Sequence, residues 1–65
     1  MCAKLVEFGD DYVVARVRAF GEKQASVRAE MFTRGVTDKE VTVSSVEKVP
    51  FEFPGMDSYH VKLSV

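Results

Sequence analysis

His60 is the only histidine and Cys2 the only cysteine of this chain, so the usual nucleophile-and-base pairings have few candidates. A nucleophile needs a base within reach, and acid–base work needs carboxylates paired in a cleft. His60 falls in YHVKLSV, residues 59–65. Alternation there sends Tyr59, Val61, Leu63 and Val65 inward and His60, Lys62 and Ser64 outward. No Asp or Cys stands at a suggestive spacing from it, so His60 reads as a surface histidine. Asp10-Asp11 follow Gly9 and read as turn residues rather than metal carboxylates. Cys2 reads as an inert terminal thiol. Together Cys2 and His60 are too few N/S ligands for structural zinc, and one cysteine cannot form an internal disulfide. Gly9, Gly21, Gly35 and Gly55 are isolated, which leaves no phosphate-cradling loop. The expectation is a chain with no catalytic residue, no metal and no cofactor, and therefore not an enzyme.

Binding is better provided for. In YVVARVRAF, residues 12–20, Val13, Ala15, Val17 and Ala19 share one face of a strand. Tyr12, Val14, Arg16, Arg18 and Phe20 share the other. Tyr12, Arg16, Arg18 and Phe20 interleave aromatics with cations, either as a plain solvated face whose aromatics are covered at the sheet's ends or by a second subunit, or as a surface that meets proteins or stacks single-stranded bases. A second candidate is VPFEFPGM, residues 49–56, where Phe51 and Phe53 share a register between two prolines, with Met56 close by. Those aromatics either fold back beneath a sheet or present an apolar patch to a partner.

Four or five elements must position these residues. Lys4–Phe8 is a short apolar strand, and Gly9-Asp10-Asp11 turns it into the strand Tyr12–Phe20. Residues 22–34 can be read with either period. Alternation of Ala25, Val27, Ala29 and Met31 would make a strand, whereas Ala25, Ala29, Phe32 and Val36 line a helical stripe. Arg28 sits on that stripe and would snorkel from its edge. The strong helix formers in EKQA and RAEM favour the helix, with Gly21 as N-cap and Arg34-Gly35 at its end. A loop over 36–39 leads to EVTVSSVEKV, residues 40–49, whose apolar phase shifts after Val43. That shift predicts a bulge near Ser44-Ser45. Pro50 ends the strand, and Phe53-Pro54-Gly55-Met56 fits a type II turn.

The expected fold is α+β, a single domain over 1–65. A small antiparallel sheet of three to four strands carries one helix on one face, as ββαββ or βαββ. If Tyr12–Phe20 and Glu40–Val49 run parallel across the helix, the last strand lies between them as a split βαβ unit. The alternative, with a strand at 25–33, is a five-stranded small β-barrel. In 65 residues only about 60% of the unfolded surface can be buried, so a tight core or self-association must supply the stability.

A formal charge of −1 argues against general affinity for nucleic-acid phosphates. No apolar run approaches a membrane span, and the N-terminal stretch lacks a signal-peptide pattern. With a lone thiol, these point to a cytoplasmic setting.

The run YVVARVRAFGEKQASVRAEMFTRG…VTVSSVEKV resembles a pattern of very short phage-encoded proteins. A strand ends in Ala, a Glu-x-x-Ala helix follows, and a Val-rich strand closes in V-E-x-V. In layout it is similar to the T7-type inhibitors of bacterial RNA polymerase, over about Lys4 to Val49. The resemblance implies a viral module acting on a host protein, in the host cytoplasm. Those inhibitors bind through an acidic surface, and this chain has no comparable acidic run, so no functional residue carries over. The order of strand, helix and two strands is also similar to dodecins, flavin-binding homo-oligomers, although the tryptophan they stack on flavin is missing. The leading expectation is a small non-enzymatic protein-binding module that meets a protein partner or its own copies. A self-assembling dodecin-like carrier and a single-stranded nucleic-acid-binding sheet are the alternatives.

Overall fold

A computed structural model describes residues 3–50 and 57–65. The expectations for Cys2, Phe51, Phe53, Met56 and the turn around Pro54 lie outside those residues. The chain runs β1 (Ala3–Phe8), β2 (Tyr12–Ala19), α1 (Glu22–Thr37), β3 (Thr42–Val49) and β4 (Asp57–Ser64). The four strands form one antiparallel sheet in the order β1-β2-β4-β3. Because β4 runs antiparallel to both neighbours, β2 and β3 are parallel to each other across α1. This is the split βαβ arrangement. The sheet stays open and residues 22–34 are helical, so the five-stranded barrel is excluded.

Each element has a local cause. Asp10 and Asp11 form a two-residue hairpin tip, closed by a 2.8 Å bond from the Gly9 N–H to the Tyr12 carbonyl. In β2 the inward residues Val13, Ala15, Val17 and Ala19 are all buried. From β4, Tyr59, Val61 and Leu63 join them. Gly21 is the N-cap of α1 in extended geometry, and the Phe20 N–H beside it donates to Gln24 Oε1 at 2.9 Å. Arg28 reaches out of the interface and donates to the Arg18 carbonyl at 2.9 Å.

Two details of α1 differ from the sequence expectation. The helix does not stop at Arg34-Gly35 but runs through Thr37, and Asp38 ends it in the left-handed region at φ 56°. The Asp38 N–H still bonds to the Arg34 carbonyl at 2.9 Å, so the last turn is complete. The buried line is Ala25, Ala29 and Thr33, at i, i+4 and i+8, rather than Ala25, Ala29, Phe32 and Val36. The reason is steric. Ala15 and Ala19 give the sheet a face of small residues, and the helix settles on it by its own smallest side chains. Phe32 moves to the flank, half-buried, and Val36 is 57% exposed.

Bulges interrupt both outer ladders. Register shifts between Val43 and Ser45 in β3, where the phase change foretold it, and between Leu5 and Glu7 in β1. The β3 bulge lets Val43 and Val46 both face the helix side, opposite Leu63 and Val61. Val65, expected inward, lies past the end of β4 and is exposed. Its N–H bonds to the Asp11 carbonyl at 3.0 Å, beside the hairpin tip. No helix among the described residues is long and apolar enough to cross a membrane.

Candidate functional site

With α1 on one side, strand alternation dictates what stands on the other. From β2 come Tyr12, Val14, Arg16 and Arg18, and from β4 come Ser58, His60, Lys62 and Ser64. The register aligns them in rows across the sheet. Lys4 stands opposite Arg16, Arg16 opposite His60, and His60 opposite Glu47. The next row holds Glu7, Val14, Lys62 and Ser45. The two central strands therefore put Arg16, Arg18, His60 and Lys62 on this face and no acid. Its carboxylates, Glu7 and Glu47, sit on the edge strands.

Arg16 has a basic neighbour on each side. Directly opposed like charges destabilise a sheet by roughly 0.2–1 kcal/mol per pair. Among the described residues, the Lys4, Arg16 and His60 side chains form neither ion pairs nor hydrogen bonds. Two ion pairs, Arg34–Glu30 at 2.7 Å and Lys48–Asp57 at 3.3 Å, lie away from this face. On the central strands Tyr12, Val14, Arg16, Arg18 and His60 are half-buried, Lys62 and Ser64 exposed, and Ser58, paired with Arg18 and Val49, is buried.

Tyr12 is already engaged. Its ring lies across Gly9, where an added Cβ would fall 1.9 Å from Tyr12 Cε1. The Lys62 ammonium stands 4.5 Å from the ring centroid, and the hydroxyl donates to Glu7 Oε2 at 3.1 Å. That hydrogen bond, the charge of Glu7, desolvation and the charge of Asp11 together raise the Tyr12 pKa above the usual phenol value. A base could not stack on this ring without displacing a partner.

Of the residues singled out from sequence, Tyr12, Arg16 and Arg18 come together on the sheet face opposite α1. Phe20 does not join them. It follows the end of β2, outside the ladder, and is 72% exposed beside the N-terminus of α1. Lys4, His60 and Lys62 were not named as site residues. The outward register of YHVKLSV contained the signal for His60 and Lys62, but only the β2–β4 pairing sets them beside Arg16. Chemically the face offers cations for an anionic contact. His60 has Arg16 and Glu47 as its cross-strand neighbours, neither of them a nucleophile it could activate. Among the described residues, no three His, Cys, Asp or Glu side chains come together in a metal-holding group. Comparison with known proteins finds no matching family model, no similar curated protein and no similar solved structure.

Proposed function

We propose that this chain is a small non-enzymatic protein-binding module whose contact surface is the sheet face opposite α1. The observation that carries the reading is the distribution of its side chains. One sheet face is filled by the helix, and the other presents Arg16, His60 and Lys62 on its central strands. Strand addition at an edge is a poorer candidate, because the bulges in β1 and β3 break both edge ladders. Base stacking is disfavoured by the partners Tyr12 already has. Face-to-face pairing of two copies would set cations against cations, and among the described residues the face offers Val14, Val49 and the Tyr12 ring for an apolar centre.

Four strands of this length span roughly 20 Å by 26 Å, about 500 Å². That is below the ~800 Å² per partner of a standard stable interface, so the contact is of the weak, transient kind.

The test is capture of proteins from a nuclease-treated cell lysate on the immobilised chain. The comparison pairs an Arg16→Glu/Lys62→Glu variant with a control altered on the helix, Val27→Ser/Met31→Ser. The reading expects a protein retained by wild type and by the helix variant and lost by the face variant. Retention by the face variant, or loss of all binding after nuclease, would contradict it.

A further inference from the structure

We infer that the partner's contacting segment is an extended, acidic stretch of polypeptide lying along β2 and β4. This rests on the reading of the sheet face opposite α1 as a protein-binding surface and gives that surface its ligand chemistry.

Three observations carry it. The first is the pair Lys4–Arg16, two like charges that face one another across β1 and β2 with no anion between them. An arriving carboxylate relieves that repulsion as it binds, so its attraction is added to a cost already present in the free protein.

The second is the segregation of charge. Lys4, Arg16, Arg18 and Lys62 against Glu7 and Glu47 leave the face at +2, counting His60 as neutral. The whole chain is −1, so everything else carries −3. The attraction for an anion is thus confined to one surface.

The third is spacing. Arg16 and Arg18 are two residues apart on β2, and His60 and Lys62 are two apart on β4. Each pair is separated by about 7 Å along its strand. An extended peptide has the same repeat, so acids at alternate positions meet successive cations. Arg16 can hold a carboxylate through two parallel N–H bonds.

The same features favour a peptide over a nucleic acid. A polyphosphate crossing the strands meets Glu7 in the Val14–Lys62 row or Glu47 in the Arg16–His60 row, and the net negative charge of the remainder of the chain repels it. The Tyr12 ring is occupied by Gly9 and Lys62. A peptide running along the central strands keeps the glutamates at its sides, Glu7 beside Val14 and Glu47 beside His60.

The experiment is an NMR titration of the isotope-labelled chain with a dodecapeptide of alternating Glu and Ser. The matching Lys-Ser peptide and a twelve-residue oligothymidylate serve as the other arms. The inference expects shifts at Arg16, Arg18, His60 and Lys62 with the acidic peptide and none on the outer side of α1. Binding should weaken at least tenfold in Arg16→Gln and fall steeply with added salt, while the spectrum of that variant stays dispersed. No shift with the acidic peptide, shifts confined to the helix, or tighter binding of the oligothymidylate would overturn it. If the acidic peptide fails while lysate capture still depends on Arg16 and Lys62, the face remains a protein-binding surface and only its ligand chemistry is refuted.

Discussion

The Lys62 ammonium stands 4.5 Å from the centroid of the Tyr12 ring, so the aromatic at the hairpin end of this face is capped by one of the face's own cations. The Tyr12 hydroxyl is spent on Glu7 and its ring on Gly9. What the face holds in reserve is therefore charge, centred on Arg16, rather than an aromatic platform.

Gly9→Ala should disrupt this arrangement most sharply. The new methyl would fall on the Tyr12 ring, which must swing away and give up Lys62 and Glu7 together. A steric insertion of this kind costs typically about 1–3 kcal/mol. Denaturant unfolding, with near-ultraviolet circular dichroism to follow the tyrosine, will show a lower midpoint and an altered Tyr signal. Gly35→Ala is the contrasting case. Nothing lies within 4 Å of the added Cβ, and the position is helical. That variant should gain about 0.5–1 kcal/mol.

The Tyr12 pKa gives a pH dependence with a definite sign. It is raised in the folded protein, chiefly by the hydrogen bond to Glu7 and then by its charge. The folded state therefore holds the phenol proton more tightly than the unfolded state does. The corresponding stability is complete below the ordinary phenol pKa of 10.0 and is lost as pH rises from there through the folded value. Unfolding midpoints taken from pH 8 to pH 11 should decline less steeply in Tyr12→Phe than in wild type. Equal slopes would show that the Glu7 contact does not persist in solution.

Thr33 carries a hydroxyl in the core with no hydrogen-bond partner among the described residues, and its side chain is fully buried. Thr33→Val keeps the shape and removes the unsatisfied group, which should add about 1 kcal/mol. In a domain of this size that corresponds to a rise of about 4–8 °C in melting temperature. Thr33→Ala should fall below wild type, because it leaves a void beneath the helix.

Much of the fold was legible in the residues themselves. The alternation of β2, the helix formers after Gly21 and the phase change at Ser44 all report local preferences. The helix rotation was not, because Thr33 replaces Phe32 in the core only once Ala15 and Ala19 let the helix approach closely. Of the site, Tyr12, Arg16 and Arg18 share one strand and could be read together. Lys4, His60 and Lys62 are remote from them in sequence, and only strand order and register bring them alongside. Phe20 shared the β2 alternation but sits beyond the last paired residue, where the chain turns into α1.

The frustrated row at Arg16 is the most direct point of attack on the whole account. Arg16→Glu would give Lys4 an opposite-charge neighbour in place of a like one. Thermal unfolding of this variant should show a melting temperature a few degrees higher than wild type, from a gain of about 0.5–1 kcal/mol. The same preparation should lose its captured protein. A melting temperature that falls, together with capture that persists, would contradict the claim that the sheet face opposite α1 gives up stability in order to bind.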